Sequence, residues 1–233
     1  MNDAIHEETY KGFKIQIVPD PDPLNTRTEF DNVGTMICFH RRYPHLGDEH
    51  EYRHEDYSGW DELEAQIAKD FGKNALILSL YLYDHSGITI STSPFSCPWD
   101  SGQVGFIVCS LKKAKKEWGM KGQLTKGWDG LACFTLRDDG TRRTLREAAT
   151  RYLEGEVKEY DQYLTGAVYG YRVIDPEDED KNLDSCWGYY GDIEYPLAEA
   201  RSIIDHHIER ENKKRQERKK LEPLSAEEAL KRL

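Results

Sequence analysis

The stretch from Asn74 to Ser93 constrains the fold most. Ten residues, NALILSLYLY, are apolar almost throughout; Asp84-His85-Ser86-Gly87 follow, and GITISTS resumes the β-rich pattern. Two strand-like runs separated by so short a polar turn can pair only as an antiparallel hairpin. The rest of the fold has to be built around that hairpin. Three further runs, Phe13 to Ile17, Gly34 to Phe39 (GTMICF) and Val104 to Ser110 (VGFIVCS), have strand composition, and the Pro/Asp stretch PDPDPLN closes the first of them. Leu131 to Leu136 and Ala167 to Ile174 (AVYGYRVI) extend the set.

Helices are marked by spacing and by caps. Trp60, Leu63, Ile67 and Phe71 recur at helical intervals, with Ser58 as a cap and Gly72 as a stop. Leu111 to Trp118 reads as a short basic helix. Thr144 and Glu147 form a capping box ahead of a stripe made by Leu145, Ala148, Tyr152, Val157, Tyr160 and Leu164, so a helix is predicted over 144–164. Asp175 to Asp180 reads as an acidic loop without the glycine of a calcium loop. Another helix is predicted from Pro196 to about Leu221, and Ser225 with Glu228 would cap a last short one. Hairpins with interspersed helices indicate an α+β fold, with a mostly antiparallel sheet, flanking helices and a long C-terminal helix. The expected organisation is one domain over 1–208 and a charged helical tail over 209–233.

Charge sets that tail apart. The chain carries a formal −11; Glu209 to Lys220 holds seven basic and three acidic residues, and 221–233 three acidic and two basic, which leaves 1–208 at −14. An acidic body repels nucleic-acid phosphates and favours basic protein surfaces, whereas the 209–220 helix is suited to nucleic-acid contact. No run reaches the roughly 18 apolar residues of a membrane helix, and the start MNDAIHEETYKG lacks a signal-peptide pattern, so a cytoplasmic protein is expected. Five cysteines without a Cys-x-x-Cys pair agree with a reducing compartment. Cys38, Cys109 and Cys133 lie in apolar runs and read as buried, whereas Cys97 and Cys186 lie in loop-like surroundings.

Four constellations have chemical content. His50-Glu51-Tyr52-Arg53-His54 satisfies H-E-x-x-H, but its surroundings are charged where a zinc-binding helix would bury a face, so no metal is expected there. Arg41 and Arg42, leaving the end of a strand, have the fork geometry that clamps an anion, although nearby acids offer salt bridges instead. Asp84 and His85 on one loop, with Cys97 and Asp100 in PFSCPWDSGQ on another, fit a nucleophile, base and orienting carboxylate; a tight structural loop anchored by Trp99 is the simpler reading. Trp187, Tyr189 and Tyr190, in the Gly-spaced DSCWGYYGD loop, suit stacking or a protein partner, or a cover over the core. There is no phosphate loop, dinucleotide fingerprint, G-x-S-x-G or kinase set, and no cofactor is expected.

The blocks DNVGTMICFHRRY..LGD, YDHSGITIS, PFSCPWDSGQVGFI, EVKEYDQYLTGAVYGY and DSCWGYYGD, spread over about residues 11–195, resemble a family of uncharacterised proteins encoded by bacterial and archaeal viruses and other mobile elements. The resemblance carries no catalytic residue. It implies a counter-defence factor that binds and blocks a host defence complex, such as a CRISPR-type nuclease. The alternative from the residues themselves is a small hydrolase or transferase on a nucleotide or nucleic-acid substrate, using His85, Cys97 and Asp100.

Overall fold

A computed structural model describes residues 3–72, 74–117, 140–141, 143–176 and 178–221. The strand expected at Leu131 to Leu136, Cys133 and the helix after Ser225 lie outside them. The architecture is α+β, with two four-stranded antiparallel sheets. Contacts divide the chain into two compact units, Pro23–Ala167 and a discontinuous one made of Met1–Asp22 with Val168–Leu233. The single domain expected over residues 1–208 thus spans both units.

The continuous unit holds the predicted hairpin. Strands β3 (Thr35–Cys38), β4 (Leu76–Asp84), β5 (Ile88–Ser91) and β6 (Ser101–Cys109) pair in the order β3-β6-β4-β5. β6 is buried without a break from Val104 to Cys109, because both faces of the sheet are covered. Alternation sends Ile107 and Met36 to one side, against Leu153, Val157 and Tyr160, and sends Phe106, Val108 and Ile37 to the other, against Leu63 and Ile67. The covers are α3 (Leu145–Thr165) and α1 (Trp60–Asp70); α2 (Leu111–Glu117) follows β6. Gly105 sits at φ 158°, where β3 and β6 pair, and a Cβ there would run into the Ile37 carbonyl. Glycine is required at that position by the close approach of backbone.

The predicted capping box is present: Thr144 Oγ1 accepts from the Glu147 amide at 3.2 Å, and Glu147 accepts from the Thr144 amide at 2.7 Å. α1 is capped at Gly59 rather than Ser58. Ser58 instead donates through its amide and hydroxyl to Glu62.

In the discontinuous unit β1 (His6–Tyr10), β2 (Phe13–Pro19), β7 (Val168–Asp175) and β8 (Asp178–Tyr190) pair in the order β1-β2-β7-β8. Helix α4 (Glu194–Leu221) starts two residues earlier than expected and lays Leu197, Ala200 and Ile204 on Phe13, Ile15, Ile17, Tyr171 and Val173. Beyond Ile208 the sequence supplies no further apolar stripe, and residues 212–219 are all exposed. The expected boundary at 208/209 therefore falls inside one continuous helix. Two segments differ from expectation. The acidic loop shrinks to a turn near Pro176, and the aromatic segment 184–190 lies in β8 rather than in a loop, because it has the whole of β7 to pair with. No helix among the described residues is long and apolar enough to cross a membrane.

Candidate functional site

The register of β4 on β6 builds the first site. Tyr83 faces Ser101, and one step further the Asp84 amide donates to the Asp100 carbonyl at 2.8 Å, so the β4–β5 turn and the Pro94–Asp100 loop meet at one end of the sheet. All four candidate catalytic residues are brought together there. Asp100 Oδ2 lies 3.3 Å from His85 Nδ1 and 3.9 Å from Cys97 Sγ. The order is not that of a nucleophile and its base, because both thiol and imidazole face the carboxylate rather than each other. Asp84 is engaged elsewhere: Arg42 pairs with it, the Tyr43 hydroxyl donates to it at 3.4 Å, and His40 Nε2 stands 3.9 Å away. The loop is tied at its base by the Ser101 hydroxyl on the Cys97 carbonyl, and Tyr83 packs between His85 and Phe95. Trp99 is not the anchor of this loop. It projects with 91% of its surface exposed.

The two arginines part company. Arg42 is spent on Asp84, while Arg41 lines a separate cleft of about 880 Å³ on the same unit, along with His40, His50, Arg53, His54 and Trp60. The H-E-x-x-H segment forms part of its wall. Arg53 is extended and only His54–Asp56 turn as a 3₁₀ helix, so His50 and His54 are not one α-helical turn apart. Among the described residues no three His, Cys, Asp or Glu side chains are grouped to hold a metal ion.

On β8, Trp187 lies against Gly170, whose missing side chain makes room for the indole, and the Arg172 guanidinium stands 5.4 Å from the ring. Tyr189 packs between Tyr171 and the exposed Tyr195, and the Tyr171 hydroxyl donates to Asp184 at 2.8 Å. Burial pushes the phenols of Tyr171 and Tyr189 above their ordinary range. Tyr190 pairs with Val168 at the end of the sheet. Trp187 is the more exposed part of this group, and the two tyrosines are half-buried.

A buried network about Arg27 was not read from the sequence. Its side chain is 1% exposed. Nε and Nη2 donate to the two oxygens of Asp48 at 2.9 and 2.6 Å, and Nη1 donates to Asn32 and Glu156. Glu156 also accepts from the Val33 amide at 2.7 Å and the Gly34 amide at 3.2 Å. Burial opposes the charge on Arg27, but Asp48 and Glu156 outweigh it and hold the guanidinium protonated. Burial also pushes the Glu156 carboxyl upward, against Arg27 and the two amides. One signal was present: Glu156 stands three positions after Leu153 and four before Tyr160, inside the apolar stripe of α3.

Comparison of the chain with family models, with curated proteins and with solved structures finds no match.

Proposed function

We propose that the protein is a counter-defence factor of a virus or mobile element, acting in the host cytoplasm by binding a host nuclease or CRISPR-type complex through protein contact. The observation that supports this most is Trp99, held almost fully in water at the tip of a loop whose base is hydrogen-bonded. A large apolar ring in that position is a hot-spot residue that gains most of its stabilisation when a partner covers it. Asp100 and His85 beside it supply polar contacts, and the −14 body suits a basic partner surface. The test is affinity capture from host lysate followed by an assay of the captured nuclease. A defence nuclease that co-purifies and is slowed, with both effects lost in Trp99→Ala, supports the reading; no bound defence protein and no slowed nuclease overturns it.

Within the same reading, the exposed basic residues Lys213, Lys214, Arg215, Arg218 and Lys219 on α4 favour nucleic-acid contact by the helix end. That contact should weaken steeply with salt and vanish when the chain stops at residue 211. The alternative, a small hydrolase or transferase, draws on the approach of His85, Cys97 and Asp100. Loss of a measured hydrolytic or transfer activity in Cys97→Ala would favour it over the binding reading.

A further inference from the structure

The cleft behind Arg41 has a chemistry that the Trp99 surface does not use. One wall is aromatic: Phe39 lies 6.2 Å from Trp60 and 4.9 Å from His50, and His50 lies 6.1 Å from Tyr52. The opposite requirement, a positive charge, is met by Arg41, which is exposed and makes no ion pair among the described residues. Arg53 adds a second guanidinium, held 3.5 Å from Asp56. His50 has a further need. Its Nε2 donates to the Cys38 carbonyl at 3.1 Å, which leaves Nδ1 buried and without a hydrogen-bond partner among the described residues.

Three acids also border the cleft. Asp48 is neutralised by Arg27, whereas Glu49 and Glu55 are exposed at its edge and can accept only from N–H or O–H donors. A ligand that combines a flat ring, polar N–H groups and an anionic end matches this lining. The volume, about 880 Å³, lies in the range of small-molecule sites. We propose that this cleft binds a small nucleotide, its base against the Phe39, Tyr52 and Trp60 rings and its phosphate on the Arg41 guanidinium. A long nucleic-acid strand is disfavoured by the acidic body around it.

Calorimetric titration of the full chain with AMP and GMP, beside adenosine, guanosine and inorganic phosphate, tests this. One nucleotide should bind saturably below about 1 mM, and its nucleoside and phosphate alone should bind at least about tenfold more weakly. Arg41→Ala, an exposed substitution that leaves the fold alone, should weaken nucleotide binding about tenfold. Lys14→Ala, on the exposed face of β2, and Trp99→Ala should leave it unchanged. No binding of either nucleotide, equal binding of inorganic phosphate, or an equal loss in Lys14→Ala would overturn the proposal. Because Trp99→Ala should be silent here, failure of the nucleotide site and failure of the partner surface are separately visible.

Discussion

Glu156 accepts from the Arg27 guanidinium at 3.0 Å across 129 positions of sequence, and both side chains are buried. The pair, with Asp48 on the other side of the guanidinium, ties the loop before β3 to the middle of α3. Arg27→Met would leave two carboxylates in the interior without their cation. A loss of about 3–5 kcal/mol is expected on removing one partner of such a network. Urea unfolding of the full chain measures it, and a loss under about 1 kcal/mol would show that the carboxylates find other partners.

Glu8 and Arg201 form a two-pronged pair at 2.7 and 2.6 Å between β1 and α4. The Arg201 hydrogen bonds hold the Glu8 carboxyl below its ordinary value of 4.5. A lowered folded value means that the pair stabilises fully above pH 4.5 and loses that contribution as pH falls through the folded value. Unfolding curves of the parent and Glu8→Gln should therefore differ at neutral pH and converge on acidification. A gap that widens in acid would contradict the assignment.

Burial pushes the Cys38 thiol up to about 12, and burial likewise raises Cys109. Cys186 is exposed and Cys97 partly so. Brief alkylation of the native protein at pH 8, mapped by mass spectrometry, should mark Cys186 and then Cys97 and spare Cys38 and Cys109. Modification of Cys38 at the rate of Cys186 would mean that β3 opens readily.

Gly105→Ala should cost about 3 kcal/mol, since the new methyl meets the Ile37 carbonyl and the backbone at φ 158° disfavours a side chain. The same substitution at Gly102, where a Cβ meets nothing within 4 Å, serves as the control and should be nearly neutral.

Ending the chain at residue 211 removes the exposed residues 212–219 of α4 with all that follows them, and leaves Leu197, Ala200 and Ile204 in place. Stability should change by less than about 0.5 kcal/mol. A larger loss would show that residues 212–233 contribute to the fold.

What could be read from the sequence follows from the range of the interactions. The Asn74–Ser93 hairpin, the capping box at Thr144 and the stripe on Leu63 and Ile67 are local, and each appears where its spacing puts it. β1 was missed because HEETY alternates a half-buried with an exposed residue and has little apolar content of its own. The Trp187 segment looked like a loop because its glycines and aspartates are turn formers, and only pairing with β7 makes it a strand. Within the site, Cys97 and Asp100 are neighbours in sequence, and their side chains lie 3.9 Å apart. The partners of Arg42 and Arg27 were not foreseen, since 42 and 129 positions separate them from Asp84 and Glu156.

The pairing of β2 with β7 also sets a timetable for synthesis. The Asp20 amide bonds to the Val168 carbonyl, so the chain leaves the first sheet and rejoins it at one point, with the whole of Pro23–Ala167 looped between. As the polypeptide emerges, that inner segment contains everything its own sheet needs and can close first. The β1–β2 hairpin must meanwhile keep one edge unsatisfied until β7 is made, and its apolar face until α4 follows. Ile15 and Ile17 are thus made before the whole of Pro23–Ala167 and covered only after it.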